Sequence, residues 1–318
     1  MRVRIATFNL ENFDMPHGHG IPLEARVAVL RPQLLRLRAD ILCLQEVSAH
    51  VPHHGVHELQ ALERLLEETP YAGFERRTTR GRSGGPNDKH NLVVLSRLPI
   101  RAFEQHWHDL VAPPVITIAT SPSPHDVRVV WDRPFLEVRV ELPGGESLWV
   151  FDAHLRAPLA APIEAQKLAA TSWRTTEGWS EGYFLASIKR SGQALELRRR
   201  IDAVFDDDLR ANVLVAGDLN ADASSSAVRI LRADVEDTGN PDLAPRALEA
   251  LEERVPTEKR YSVLHHGRGQ MLDHLLASQS LARRHVATDI LNADLDDEFF
   301  TPHPVGSLHA PVVVELEV

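Results

Sequence analysis

Short apolar, β-branched runs recur along the chain, and each has a polar residue at one of its ends. VRIATF leads to Asn9 and Glu11, ILCLQ to Glu46, LWVFDA to His154, and NVLVAG to Asp218 and Asn220. Near the C-terminus the order reverses: Asp273 and His309 precede the apolar residues of MLDHLLAS and HAPVVVELEV. In MRVRIATFNL the alternation puts Val3, Ile5 and Thr7 on one face, which is the period of a strand. Further strands are expected over 91–96 (NLVVLS) and 127–140, the latter with a turn or bulge near Pro134.

Helical spacing marks three stretches between the strands. Residues 23–39 carry Pro32, which should break or kink a helix there. Residues 57–69 are amphipathic. The spacing predicts the best helix over 191–209, with Ser191 as N-cap and an apolar stripe of Leu195, Leu197, Ile201, Val204 and Phe205. Three loops are expected: a basic, Gly-rich one at 76–91, one at 156–190 holding Trp173, Trp179, Tyr183 and Phe184, and one at 232–260 rich in charge and proline. Strands and helices alternate without regular βαβ spacing, which points to mixed sheets packed together and covered by helices. No linker interrupts the pattern, so one domain is expected over 1–318.

Composition narrows the function classes. With 318 residues, 43% hydrophobic and 25% charged, the chain can build a large core. No apolar run approaches the roughly 18 residues of a membrane span, and the N-terminus has no secretory pattern, so a cytoplasmic protein without membrane insertion is expected. The single cysteine, Cys43, allows no internal disulfide and reads as a buried apolar residue. The net charge of −10 argues against a general polyanion-coating protein. It does not exclude a nuclease, because a carboxylate cluster that binds a divalent ion reverses its local sign.

The strand-end polar residues are candidates for one such cluster. A charge at Glu46, after an apolar run, needs a partner or a metal. Gly217 permits close backbone approach, and Asp218 and Asn220, two apart, can project together from an extended chain, although Asp and Asn also suit a turn. No ligand spacing links the remaining histidines, including the HGH at 17–19, His53–His54, His57 and His265–His266.

TFNLEN, LQE, GDLNAD, LDHLL and S-x-HAPV, in this order over nearly the whole chain, resemble the endonuclease/exonuclease/phosphatase superfamily. The resemblance implies a four-layer α/β sandwich of two mixed β-sheets face to face with helices outside, and hydrolysis of phosphoesters with Mg²⁺ or Mn²⁺. It implies Glu46 as principal metal ligand, Glu11 as a second acidic ligand, and His154 at the scissile phosphate. Asp218 would position the attacking water, Asn220 hold the phosphate, and Asp273 orient His309, which stabilises the developing charge. Asn9, Asn91 and Arg133 are expected to face the substrate. The last motif of the family usually reads Ser-Asp-His, whereas this chain has Ser307-Leu308-His309.

Arg76, Arg77, Arg80, Arg82 and Lys89 of the basic loop suit phosphate, with Arg133 and Arg198–Arg200 expected on the same face. The aromatic residues at 173–184 are expected to fill core rather than stack on bases. The leading expectation is a nuclease with a nucleic-acid or other phosphoester substrate. The alternatives are a phosphatase or phosphodiesterase for small phosphoesters or lipid headgroups, and a catalytically weak phosphate or nucleic-acid binding protein. Restoring the missing carboxylate with Leu308→Asp should tighten Mg²⁺ or Mn²⁺ binding. A calorimetric titration without tightening removes that expectation.

Overall fold

Apolar runs rich in β-branched residues can be buried on both faces of a covered sheet, and the runs here become strands, the 127–140 stretch as two separate ones, His125–Arg128 and Phe135–Glu141, in different sheets. The computed structural model describes residues 1–15, 20–50, 57–81 and 84–318. The HGH run, His53–His54 and Arg82 lie outside the described residues. In chain order the strands are β1 (Arg2–Phe13), β2 (Ile41–Val47), β3 (Glu75–Thr78), β4 (Asn91–Ser96), β5 (Ile100–His106), β6 (Val115–Ile118), β7 (His125–Arg128) and β8 (Phe135–Glu141). They continue as β9 (Ser147–His154), β10 (Asn212–Asp218), β11 (Leu248–Ala250), β12 (Val263–His265), β13 (Arg268–Gln270), β14 (Asp273–Ser278), β15 (His285–Ile290) and β16 (Val312–Glu317).

Two six-stranded sheets form, in the orders β15-β16-β1-β2-β4-β3 and β11-β14-β10-β9-β8-β5. Both are mixed. β1 runs parallel to β2 and antiparallel to β16, and β10 runs parallel to β9 and antiparallel to β14. Val3, Ile5, Ile41, Val94 and Val314 of one sheet share a core with Val138, Val150, Leu214 and Leu275 of the other. Cys43 is buried in it as expected. The outer face of the first sheet is covered by α1 (Leu23–Leu37) and α2 (Gln60–Leu66), and that of the second by α3 (Thr176–Asp207) and α4 (Ser226–Arg232). The four-layer α/β sandwich expected from the sequence is the fold.

The helices depart from expectation in instructive ways. α1 runs through Pro32. A helix-interior proline costs about 3 kcal/mol, and burial of Val27, Leu30, Leu34 and Leu37, at about 1.5–3 kcal/mol per side chain, outweighs it. The 57–69 stretch is helical only over Gln60–Leu66. α3 starts at Thr176, capped by Thr175 Oγ1 accepting from the Gly178 amide at 3.0 Å, so Ser191 lies inside the helix. Gly178 and Gly182 hide this extension from propensity, while Leu185 packs against Ile118, Val129 and Ile163. Leu195 is 43% exposed and lies off the buried stripe. Trp179, Tyr183 and Phe184 are also exposed on α3, which overturns their expected place in the core.

Gly217 occupies a position closed to any side chain. Its φ is +141°, and a Cβ would lie 1.9 Å from the Ala153 carbonyl oxygen of β9. Gly217→Ala should therefore lower stability by about 2–3 kcal/mol or prevent folding, as read by chemical denaturation. A midpoint within error of the wild type would contradict this account.

Candidate active site

Strand register gathers the polar residues. On the second sheet Asp218 stands opposite His154 of β9 on one side and Asp273 of β14 on the other. On the first sheet the pleat that turns Val3, Ile5, Ile41 and Cys43 inward also turns Thr7, Asn9 and Gln45 inward. The layer between the sheets is thus apolar for most of its length and polar at one end, where Thr7, Asn9, Gln45, Asp152, His154, Asp218 and Asp273 are all buried.

Glu46 belongs by strict alternation with Leu42 and Leu44, on the helix-covered face. Its left-handed backbone (φ +59°), at an irregularity in the β2–β4 register between Leu44 and Val47, turns it into the cleft instead. Its Oε2 accepts from the Asn12 amide at 2.7 Å, and its Oε1 stands 3.6 Å from His154 Nε2. Glu11, His90 and Asn220 also have positive φ, so several strained backbones border the cleft.

The cluster converges on one atom. Asp218 Oδ2 accepts from Asn9 Nδ2 at 3.0 Å and Asn220 Nδ2 at 3.2 Å, and lies 3.4 Å from His154 Nε2 and 3.9 Å from His309 Nε2. His309 Nδ1 meets Asp273 Oδ2 at 2.8 Å. Burial pushes the Asp218 carboxyl up to about 7; His309 opposes the rise, while Asp273 and Glu46 add to it. Burial would lower His309, but the Asp273 and Asp218 carboxylates hold it well above the usual histidine value. His154 is moved the other way, first by burial and then by the positive charge of Arg133 and His309 and by the neighbouring His90 ring. Opposite shifts in neighbouring imidazoles leave one cationic and one neutral at pH 7.

Some expected site residues have other tasks. Both amide protons of Asn220 are engaged, by Leu155 O at 3.0 Å and by Asp218, while its backbone amide donates to Asp218 Oδ1 at 2.8 Å. It therefore sits in a turn that orients Asp218. The Asn91 amide donates to Val47 O and Asn87 O and accepts from the Asn87 amide, so this buried group anchors the loop before β4. Arg76 pairs with Glu63 and Arg77 with Glu75. Arg198 pairs with Asp202, Arg199 donates to Leu110 O, and Arg200 pairs with Glu137, which removes all three from the expected basic face. Leu308, at the position of the family's usual aspartate, is buried.

Arg133 lies close enough to sense Glu46 and Asp218, yet has no ion-pair partner among the described residues. A cleft of about 760 Å³ continues from it, lined by Arg80, Lys89, His90, Trp107 and Arg156 among others. Arg80 and Lys89 likewise have no carboxylate partner among the described residues, whereas Arg156 faces Asp132 at 3.3 Å.

Several supporting residues escaped the sequence reading. Asp152, inside the apolar LWVFDA run, accepts from Gln45 Nε2 at 2.7 Å, and burial holds its carboxyl well above the carboxylate range. An acid within an apolar strand was the signal. Arg26 of α1 donates to the carbonyls of Leu10, Glu11, Asn12, Val305 and Gly306, tying the end of β1 to the approach to His309. His90 directly precedes the NLVVLS run, the same bordering pattern that marked its neighbours.

The pattern of the Endonuclease/Exonuclease/phosphatase family matches residues 6–303. The chain belongs to this family. A family protein of Bacteroides thetaiotaomicron is similar in structure at 16% identity, with 99% of this chain and 97% of that chain covered and a TM-score of 0.60. An AP endonuclease from Archaeoglobus fulgidus is similar at 16% identity, 99% and 100% coverage and a TM-score of 0.52. A mannosyl-6-phosphatase from Bacteroides thetaiotaomicron is similar at 16% identity, 99% and 100% coverage and a TM-score of 0.58. No curated protein matches the sequence.

Family members hydrolyse phosphoesters and generally use divalent metal ions. The residues here fit such an ion. The carboxylates of Glu11, Glu46 and Asp218 surround the cleft, Asp273 Oδ1 is buried without a partner, and ligand atoms of Asp218, Asp273 and His309 lie within 4.8 Å of one another. Among the described residues no helix is long and apolar enough to cross a membrane.

The shift at Asp218 makes a testable link to stability. In metal-free protein the folded state keeps a proton on Asp218 up to about pH 7, whereas the unfolded chain sheds it near 3.8. Relative to Asp218→Asn, the wild type should therefore lose stability as pH rises between these values. Melting in EDTA that shows the two proteins moving in parallel across this window would rule the shift out.

Proposed function

We propose that this family member is a divalent-metal-dependent phosphodiesterase, and that its substrate is a nucleic acid. The convergence of Asn9, Asn220, His154 and His309 on Asp218 Oδ2 carries the chemical part of this reading. The basic cleft beyond Arg133 favours a polyanion longer than one phosphoester.

Glu46 and Glu11 are the residues that would hold Mg²⁺ or Mn²⁺, which when bound supplies polarisation of a phosphoryl oxygen and offsets developing charge. Asp218, fixed by Asn9 and Asn220, takes a proton at Oδ2 from the attacking water. His309 is anchored through Nδ1 by Asp273, which leaves its protonated Nε2 to donate to a phosphoryl oxygen. Arg133 holds a second oxygen of the same phosphate, and neutral His154 completes the wall against Glu46.

Hydrolysis of plasmid or single-stranded DNA should be abolished by EDTA, restored by Mg²⁺ or Mn²⁺ alone, and reduced about a hundredfold or more by Asp218→Ala and by His309→Ala. Retention of full activity by both variants would overturn the site assignment. A preference for an inositol phosphate or a generic diester over DNA would replace the nuclease by a small-phosphoester hydrolase, and metal-independent binding without turnover would replace both by a binding protein.

A further inference from the structure

A second group of ligand atoms lies beside the Asp218 cluster, on the imidazole side of Glu46. Glu46, His90 and His154 each offer one ligand atom, and these lie within 4.8 Å of one another. His154 is 2% exposed, its Nδ1 has no partner, and its Nε2 faces Glu46 Oε1 at 3.6 Å, too long for a hydrogen bond. His90 also buries an Nδ1 without a partner, and its ring centroid lies 6.1 Å from that of His154. A buried imidazole without a hydrogen bond, pointed at a carboxylate across a gap of this width, is unsatisfied by the chain itself. Ligands bound at about 2.1 Å in a tetrahedron are separated by roughly 3.4 Å, close to the gap between His154 and Glu46.

We propose that Glu46, His90 and His154 form a binding site for a borderline transition-metal ion of the Zn²⁺ or Co²⁺ class, distinct from the oxygen-lined position of Glu46 and Glu11. Two imidazoles with one carboxylate suit these ions, whereas Mg²⁺ prefers oxygen ligands and keeps its waters. Arg133 and Lys89 stand near and weaken cation binding, and Asp218 Oδ2 lies 3.4 Å from His154 Nε2. The site shares Glu46 with the proposed phosphodiesterase centre and rests on that reading only for Glu46 as a ligand. It requires no particular substrate.

The full-length, metal-free protein is titrated with Co²⁺ in excess Mg²⁺, following visible d–d absorption, with Zn²⁺ uptake measured by equilibrium dialysis. The wild type should take up about one equivalent of either ion with imidazole-type absorption. His90→Asn keeps a residue that tolerates the left-handed backbone, and it should weaken uptake about 10- to 100-fold. His90→Asp should recover cation binding with its preference moved towards Mn²⁺. Unchanged Co²⁺ absorption and Zn²⁺ affinity in His90→Asn, with an unchanged metal-free melting temperature, would overturn the proposal, as would a wild type that takes up neither ion. DNA hydrolysis in Mg²⁺ is assayed separately. Hydrolysis without any His90-dependent spectrum removes this site and leaves the phosphodiesterase, and a His90-dependent spectrum without hydrolysis removes the phosphodiesterase and leaves the site.

Discussion

The 3.0 Å hydrogen bond from Asn9 to Asp218 joins the two sheets at the point where their shared core turns polar. A carboxylate this deeply buried is costly unless it is hydrogen-bonded, and its donors come from both layers. The Thr7–Gln45–Asp152 chain repeats the arrangement one layer further in, at 3.2 and 2.7 Å. Sheet packing and site geometry therefore depend on each other. Any slip of one sheet against the other would leave buried polar atoms unpaired.

Around this seam, rigid anchors hold irregular backbone in place. Arg26 satisfies five carbonyls at the junction of β1 and the segment leading to His309. Ser307 Oγ donates to Asn9 O at 2.6 Å and accepts from the His309 amide at 3.0 Å, which couples the last motif to the first. His274 Nε2 meets Ala221 O at 2.8 Å and its Nδ1 meets Glu252, fixing the turn that carries Asn220. These contacts sustain left-handed backbones at Glu11, Glu46 and Asn220 that isolated turns would not keep.

Charge is divided across the cleft with the same economy. The carboxylates sit at the sandwich end, His309 is held cationic among them, and Arg80, Lys89 and Arg133, which have no carboxylate partner among the described residues, continue along one side. A net charge of −10 therefore says little about the local field. Most arginines of the sequence are committed to ion pairs or backbone carbonyls, and only the fold separates those from the few that face the cleft.

The sequence by itself determined the central strands β1, β2, β4, β9, β10, β14 and β16, the packing of mixed sheets and the chemical type of the site, whereas the edge strands β3 and β11 fall in stretches that read as loops. Period-two burial and strand-end polar residues are local properties, and the ordered motifs from TFNLEN to HAPV carry the family. Register then made neighbours of His154, Asp218 and Asp273, which lie far apart in the chain. What only the tertiary structure decided depends on competition between distant groups. Pro32 is tolerated because α1 has a core face to bury, and α3 begins early because Leu185 finds Ile118 and Ile163. Asn91 is an anchor, and Arg133 a cation without an ion-pair partner among the described residues, because of what stands opposite each. Glu46 reaches the cleft because one residue of β2 leaves the pleat, a change of direction that no periodicity announces.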